Sequence, residues 1–372
     1  MNTEKENRTS IPSSKIKNES ECTIGDICSR FSSGKGITAE RISHTGEYPV
    51  YGGNGIRGYT DSYNFEGQCV VIGRQGANCG NVKYFDGKAY MSEHAIVGVT
   101  HQEHDNRYFA YKLSMLNLGR FSGQAAQPGL SVAKLKTLKI TMPNFNIQYR
   151  IASILSAYDH LIENNTRRIR LLEQMAENLY KEWFVRFRFP EHENVEMVNG
   201  LPKGWKINSL KEICEFKRGR NITSAEMCDG IIQVISAGVA PSGYHNKANV
   251  HGVSVTMSSS GANAGYISIH YDDIWAADCS YISEKETEDI YYVYELLNNI
   301  RQVINNFQVG AAQPHVYPKD INRIKTCVPP KELRIKANTN LSKIHKEIHK
   351  LYKQNQLLTR QRDLLLPRLM SG

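Results

Sequence analysis

The sequence predicts an α+β fold in which two similar globular halves are each followed by a long helix. The first observation is an internal repeat, because Ala125-Ala126-Gln127-Pro128 returns as Ala311-Ala312-Gln313-Pro314. The second is a long helical pattern after each copy. The third is that neither half shows the regular strand–helix alternation of a doubly wound sheet. The repeat is far longer than a solenoid unit and therefore indicates duplicated domains.

The repeat continues on both sides of this motif. Upstream, Gly76-Ala77-Asn78 corresponds to Gly261-Ala262-Asn263, and Gly58-Tyr59 corresponds to Gly243-Tyr244. Downstream, residues 130–143 keep register with residues 316–329. Residues at equivalent places in the two copies can therefore be compared directly.

Composition and length fit two ordinary globular cores. The chain has 372 residues, of which 40% are hydrophobic. We expect residues 1–20, a polar stretch without the apolar region of a signal peptide, to be a disordered tail. No apolar run is long enough to span a membrane, so a soluble, cytoplasmic protein is predicted. The eight cysteines form no CxxC pair, which favours buried free thiols over zinc or disulfides.

The charge distribution favours a polyanionic partner. The formal net charge is +9 at pH 7. Residues 331–372 alone carry ten Lys and Arg against three acids. The second helical segment is therefore clearly basic, whereas the first is nearly neutral.

Each globular half is predicted to contain short strands, turns and one short helix. In the first half, residues 68–73 and 95–99 are predicted strands, residues 52–55 a glycine-rich turn, and residues 106–118 a helix. In the second half, residues 234–235, 253–255 and 266–269 are predicted strands and residues 291–307 the helix. The predicted division is a tail at 1–20, domain one at 21–145, a central helix at 146–189, a linker at 190–204, domain two at 205–330 and a C-terminal helix at 331–372.

Both long helices carry an apolar seam with coiled-coil spacing, in steps of three and four residues. A helix with such a seam needs a partner, and the other copy is the simplest one, so an antiparallel pair is predicted. Leu161 and Asn165 recur as Leu351 and Asn355, and these four residues are the predicted helix-pairing residues. The first predicted seam comprises Ile147, Ile151, Ile154, Tyr158, Leu161, Asn165, Ile169, Leu172, Ala176, Leu179 and Trp183. The second comprises Leu341, Ile344, Ile348, Leu351, Asn355, Leu358, Arg362 and Leu365.

Three short motifs resemble catalytic or cofactor sites. Residues 53–58 match GxGxxG, but the residues that follow are not helical, so a glycine turn is preferred over a dinucleotide site. Glu215-Phe216-Lys217 resembles a nuclease ExK, yet the equivalent residues of the first copy lack both charges. His345 and His349 have metal-ligand spacing, but Lys346 stands where a zinc protease has glutamate, so a solvated basic face is preferred. No catalytic or metal site is predicted.

The polar turns of both halves have side chains suited to nucleic acid. Arg, Asn and Gln can form bidentate contacts with base edges, whereas Lys, Ser and backbone amides suit phosphates. Because the two sets differ, the halves are expected to recognise different sequences. The predicted DNA-binding residues are Asn54, Arg57, Tyr59, Arg74, Gln75 and Asn78 in the first half, and Lys217, Arg218, Arg220, Tyr244, Ser258, Ser259, Ser260 and Asn263 in the second.

The order of these features resembles that of a type I restriction-modification specificity subunit. The resemblance rests on residues 123–128 with 130–143, residues 310–314 with the stretch to Pro329, residues 51–55, and residues 201–205. Residues 150–152, 183–184 and 361–366 also resemble conserved helical regions of the family. The N-terminus departs from the pattern, since residues 16–19 stand where the LPxGW of 201–205 would be expected.

The resemblance implies two target-recognition domains that each bind half of a split double-stranded DNA site. It implies helices that act as a spacer and dock two modification (methyltransferase) subunits, with restriction subunits completing the complex. This chain would bind no cofactor, and S-adenosylmethionine, ATP and Mg²⁺ would belong to the partners. The alternatives are a catalytic DNA nuclease or methyltransferase, and a scaffold that does not bind DNA.

Overall fold

The computed structural model describes residues 19–76, 78–123, 129–310 and 314–371. The motif at 124–128, its second copy at 311–313 and Ala77 lie outside the described residues. The chain divides into two compact units, residues 19–162 with 357–371, and residues 163–356. Each unit contains one globular half and part of both long helices.

The first unit is organised around a mixed β-sheet. Its strands are β1 (Glu19–Thr23), β2 (Cys28–Ser33), β3 (Tyr48–Gly52), β4 (Gly55–Thr60), β5 (Phe65–Gly73), β6 (Val82–Met91), β7 (Ala95–Thr100) and β8 (Lys139–Pro143). Among the described residues, six strands form one sheet in the order β2-β7-β5-β6-β3-β4. Neighbours are antiparallel except β3 and β6, and β1 pairs separately with β8.

The helices of the first unit cover this sheet. They are α1 (Ile24–Ile27), α2 (Asn106–Ser114), α3 (Val132–Lys136) and the first part of α4 (Phe145–Tyr180). Asp105 caps α2 by accepting a hydrogen bond from the Tyr108 amide at 2.7 Å. Phe109 and Leu113 of α2 are fully buried with Ile72 and Ile96 of the sheet. The helix predicted at 106–118 ends earlier than expected, at Ser114, and a separate 3₁₀ turn follows at Leu118–Phe121.

The second unit repeats this plan with shorter strands. They are β9 (Met197–Val198), β10 (Leu201–Pro202), β11 (Lys206–Ser209), β12 (Lys217–Arg218), β13 (Ile232–Ile235), β14 (Gly243–His245), β15 (Ser254–Ser258), β16 (Ile267–His270), β17 (Ile274–Ala276), β18 (Cys279–Ser283) and β19 (Lys325–Val328). In its described part, one sheet has the order β12-β18-β15-β16 and another β14-β13-β17. β13 and β17 are parallel, as β3 and β6 are, and β11 pairs with β19 as β1 does with β8.

The short helices of the second unit differ from the prediction in one respect. They are α5 (Ile290–Asn299), α6 (Arg301–Asn305) and α7 (Pro318–Ile321). The single helix predicted at 291–307 is interrupted at Ile300, whose φ and ψ of −96° and 16° are not helical. Tyr292 and Leu297 of α5 are fully buried in the core of this unit.

The long helices are α4 and α8 (Lys331–Met370). α4 begins directly after Pro143-Asn144 and passes into a π-helical turn at Lys181–Val185, close to its predicted end. The two helices pack together in antiparallel fashion, since Asp159 contacts Arg362 whereas Asn165, farther along α4, contacts Asn355. The predicted α+β fold with paired long helices is therefore confirmed.

The first seam prediction is wrong at two positions. Ile154 is 46% exposed and Leu161 is 48% exposed, whereas Leu155 is fully buried and Ile162 is half-buried. At both places two apolar residues are adjacent in sequence, and apolar spacing alone does not show which of the two faces the protein interior. The second seam fits better, because Leu341, Ile348 and Leu351 are each no more than 1% exposed.

The cysteines follow the prediction in part. Cys28, Cys69, Cys214 and Cys279 are buried free thiols. Burial raises the pKa of Cys28, Cys69 and Cys279 to about 12, so these thiols stay protonated and unreactive at neutral pH. Cys228, in contrast, is exposed.

Candidate nucleic-acid interface

Three loops of the first unit meet at one end of its sheet. Asn78, in the segment after β5, donates a side-chain hydrogen bond to Asn54 in the turn between β3 and β4. A Cβ on Gly53 would lie 2.5 Å from the carbonyl oxygen of Gln75, so only glycine permits this close approach. Two of the predicted loops are therefore in direct contact.

The third loop is the segment between β6 and β7. Its His94 places Nδ1 2.7 Å from Oε1 of Gln75, and Nε2 3.0 Å from Oε1 of Glu93. Arg74 donates its amide to the carbonyl of His94 at 2.9 Å and its Nη1 to the carbonyl of Glu93 at 3.4 Å. We name Arg74, Gln75, Glu93 and His94 the first cluster.

Sequence reasoning missed Glu93 and His94. The available signal was the polar stretch Ser92-Glu93-His94, which interrupts two buried strands. Arg57 and Tyr59 lie elsewhere, on β4 itself. Arg57 is exposed, with its aliphatic stem against Gly52, and the Tyr59 main chain exchanges two hydrogen bonds with Ser43.

The second unit contains a corresponding group. Ser260 donates its hydroxyl to Oδ2 of Asp278 at 2.7 Å. Nη2 of Arg218 lies 3.8 Å from Oδ1 of the same carboxylate, and the Arg218 side chain remains 57% exposed. We name Arg218, Ser260 and Asp278 the second cluster. Asp278 was also missed, because it comes from a strand junction distant in sequence from Arg218 and Ser260.

The other predicted residues of this half have different surroundings. Ser258 (4% exposed), Ser259 (8%) and Ser260 (8%) are buried, so their hydroxyls offer little accessible surface, and their assignment as DNA-binding residues stays a prediction. Asn263 is exposed and Tyr244 is 54% exposed.

The basic residues near β12 are partly engaged by neighbours. Glu286 lies 2.9 Å from Nζ of Lys217, and this hydrogen bond and charge raise the pKa of Lys217. The main-chain carbonyl of Arg220 accepts from the indole of Trp275 at 2.9 Å. Glu215 pairs with Lys211 at 2.9 Å, so the ExK residues bind separate partners.

The two clusters lie on the same backbone frame. The Gly80 amide donates to the Gly73 carbonyl at 2.8 Å, as the Gly265 amide does to Ser258 at 2.9 Å. Isolated bridges join Gln75 to Gly129 and Ser260 to His315. Glu93 and Asp278 each follow the strand that pairs in parallel with β3 or β13. The halves therefore differ in side chains at positions where their main chains agree.

The predicted helix-pairing asparagines are brought together inside the second unit. Nδ2 of Asn165 donates to Oδ1 of Asn355 at 3.0 Å and to Oε1 of Gln354 at 3.2 Å. Nδ2 of Asn355 donates to Oγ1 of Thr166 at 3.3 Å. Asn165 is 3% exposed, so its amide is buried and hydrogen-bonded.

The prediction that His345 lies on a solvated face is wrong. His345 is 2% exposed, its Nδ1 lies 2.9 Å from the Tyr271 hydroxyl, and its Nε2 lies 3.2 Å from Glu295. His349 is only partly buried and lies 3.6 Å from Asp272.

The described residues contain no group of three or more His, Cys, Asp or Glu side chains arranged to hold a metal ion. Nor does any helix in the described ranges have the length and apolarity to cross a membrane.

Comparison with known proteins gives a consistent result. Residues 17–174 and 202–363 each match the family model described as type I restriction modification DNA specificity domain. The chain is 38% identical over 160 residues to the EcoprrI type I restriction enzyme specificity subunit of Escherichia coli, a match covering 42% of this chain and 40% of that protein. It is 26% identical over 302 residues to the MjaIX specificity subunit of Methanocaldococcus jannaschii, covering 71% of this chain and 68% of that protein.

A solved structure shares the fold. The crystal structure of the S subunit of a type I restriction-modification system from M. genitalium aligns over 97% of this chain and 98% of that chain, with a TM-score of 0.68 and 21% identity. Two matched domains, a duplicated loop frame and a pair of long helices agree with the resemblance identified from the sequence. This chain belongs to the family of type I restriction-modification specificity subunits, with two target-recognition domains.

Proposed function

We propose that each globular half binds one half of a bipartite DNA site in the major groove, and that the two halves recognise different sequences. The observation that carries this proposal is the pair of clusters built on one backbone frame with different side chains. Gln75 and Arg74 in the first, and Arg218 in the second, have the donor geometry that distinguishes base edges. The formal charge of +9 supports attraction to phosphates.

The long helices act as the spacer between the half-sites. α4 and α8 both contribute to each unit, and their contact includes the buried Asn165–Asn355 hydrogen bond. Hydrogen-bonded amides in an apolar seam penalise slipped registers, because a shift leaves them unpaired. A fixed register supports a fixed number of base pairs between half-sites.

Membership of the family supports a proposal for the partners of this chain. Two modification subunits dock on the helices, and restriction subunits join the complex, in the cytoplasm where the host DNA is. S-adenosylmethionine, ATP and Mg²⁺ bind to these partners, and this chain contributes recognition without its own catalysis.

The test is the methylation pattern of host DNA, determined by single-molecule sequencing with the chain present, deleted and restored. We expect a two-part methylated motif that disappears on deletion and returns with the full chain. A purified chain that turns over DNA with Mg²⁺ or a methyl donor would instead support the catalytic alternative. A pattern unaffected by deletion, together with no binding to genomic DNA fragments, would support the scaffold alternative.

A further inference from the structure

Carboxylates occupy equivalent positions in the two clusters. Glu93 follows β6 and Asp278 follows β17, and both strands pair in parallel with the strand that begins the neighbouring hairpin. The next strands, β7 and β18, start one or two residues later. The loops against them also correspond, because Gly73 and Ser258 accept equivalent amide hydrogen bonds.

In the second unit the carboxylate of Asp278 lies beside the guanidinium of Arg218. Asp278 uses Oδ2 to accept from the Ser260 hydroxyl at 2.7 Å, which fixes the orientation of the carboxylate. Its other oxygen lies 3.8 Å from Nη2 of Arg218. Nη2 of Arg218 faces Asp278, and with 57% of the side chain exposed the guanidinium is accessible from solvent. A planar donor pair of this kind matches O6 and N7 of guanine.

In the first unit the carboxylate contacts a histidine. Glu93 contacts one ring nitrogen of His94 at 3.0 Å, and the other ring nitrogen contacts Oε1 of Gln75 at 2.7 Å. The carboxylate can only accept, so Nε2 of His94 donates to Glu93, and Nδ1 engages one polar atom of the Gln75 side-chain amide. The other polar atom of that amide is the group left to contact a base edge. The main chain restrains the same loop, because Gln75 also bridges to Gly129.

We propose that Glu93 and Asp278 are positioning residues that orient the base-contacting side chains of the first and second half, Gln75 through His94 and Arg218 directly. Neither carboxylate contacts DNA in this proposal. It rests on the proposed function and extends it by assigning the determinants of each half-site. It implies that a charge change at either position alters recognition at one half-site and leaves the other half-site and the spacing intact.

The test uses the full chain with its partner subunits in cells, read out by the methylated motif. We expect Asp278→Asn to relax one position of one half-site, with a loss of discrimination of about 5- to 150-fold at that base pair. Arg218→Lys should relax the same position, and the double variant should add little, since both changes act on one contact. Glu93→Gln and His94→Gln should relax the other half-site instead.

Two variants serve as controls. Asp229→Asn changes an exposed carboxylate of the same half to its amide, and it should leave the motif unchanged. Asp278→Glu keeps the charge and should restore at least part of the discrimination that Asp278→Asn loses. A wild-type chain that produces no chain-dependent methylation would refute the proposed function before any variant is compared.

Several outcomes would overturn the proposal while the proposed function stands. One is an unchanged motif in Asp278→Asn or Glu93→Gln at normal methylation levels. Another is a change in both half-sites from a single variant. Loss of all methylation together with a lowered unfolding midpoint would assign Asp278 a purely structural role. Loss of all methylation in a variant with the unfolding midpoint of the wild type would also contradict the proposal. One misplaced arginine should relax recognition at one base pair and should not abolish DNA binding.

Discussion

Single polar side chains decide much of what is specific to this molecule. Asn165 and Asn355 stood out in the sequence because they interrupt apolar seams at equivalent places, and the structure pairs them at 3.0 Å. A buried amide without partners costs about 1–3 kcal/mol, so the contact matters chiefly by penalising arrangements that break it. Its contribution to net stability is expected to be small, whereas its contribution to register is large.

We expect the double variant Asn165→Leu/Asn355→Leu to be as stable as the wild type or more stable by about 1 kcal/mol, with a less uniquely defined helix register. The single variant Asn165→Leu should be less stable by about 1–3 kcal/mol, because it leaves the side-chain amides of Gln354 and Asn355 without this hydrogen-bond donor. Chemical unfolding and the distance distribution between spin labels on the two helices measure both effects. Asn164→Leu, on the exposed face, is the control. An unbroadened distribution in the double variant would contradict the register role.

A second prediction concerns acid sensitivity at His270. Burial lowers the pKa of His270 to about 4, and its Nε2 lies 2.8 Å from the Thr256 hydroxyl. The unfolded chain therefore binds a proton at higher pH than the folded chain does. The stabilisation from neutral His270 is complete above about pH 6.5 and is lost as the pH falls towards 4, by an amount of about 1–3 kcal/mol.

The measurement is the free energy of unfolding of wild type and His270→Gln between pH 7.5 and 4. We expect the difference between the two proteins to change with pH across this window, in favour of the variant at low pH. Parallel pH profiles would show that His270 does not contribute to acid destabilisation.

Partners that are distant in sequence limited the prediction of the site. Asn54, Gln75 and Asn78 were identified because each lies in a recognisable turn. The sequence gives no sign of the roles of Glu93 and Asp278, because the contacts of His94 with Gln75, and of Asp278 with Ser260 and Arg218, depend on strands brought together only by the fold. His345 was assigned to a solvated face for the same reason, since Glu295 and Tyr271 come from other elements.

At the level of elements, apolar spacing predicted which segments are helical but not which residues each helix buries. Predicted strands at 68–73, 95–99 and 266–269 all overlap observed strands, because buried β-branched runs are a local signal. The break at Ile300 and the exposure of Ile154 and Leu161 in the first seam have no such local sequence signal.

The equivalent leucines Leu351 and Leu161 provide a matched test of which seam positions are buried. Leu351 is 1% exposed in the core of the second unit, whereas Leu161 is 48% exposed. Leu351→Ala should cost about 2–5 kcal/mol of unfolding free energy, because it leaves a cavity. Leu161→Ala should cost less than about 1 kcal/mol. Urea denaturation of both variants measures these changes. Equal losses of unfolding free energy would support the seam predicted from the sequence, in which both leucines are buried.

At the level of the whole molecule, we expect DNA binding to be bipartite and strongly salt-dependent. Each phosphate neutralised by Lys or Arg releases counterions, so the affinity should fall steeply as salt rises. Footprinting at low salt should show two protected segments with a gap, and titration should give a linear decline of log affinity with log salt. One continuous short footprint, or an affinity insensitive to salt, would contradict this.

Loop variants are better suited to dissecting the two halves than deletion of residues 205–330. Trp183 and Phe184 at the end of α4, and Ile348 and Leu351 of α8, are buried against that half. Deletion of residues 205–330 would expose these apolar side chains to solvent. The deletion variant would therefore report on solubility as much as on DNA recognition. The duplication was evident from the sequence, but the sharing of both helices by both units was not.

The last turns of α8 have a consequence for how the protein is made. Leu365, Leu366, Leu369 and Met370 pack into the core of the first unit, beside Leu155 and Phe109. Those side chains leave the ribosome long after the strands that they cover. At about 5–20 residues per second, the nascent first domain spends roughly 10–40 s with part of its core uncovered. Although the first domain is synthesised first, its core is therefore completed only after α8 has been made.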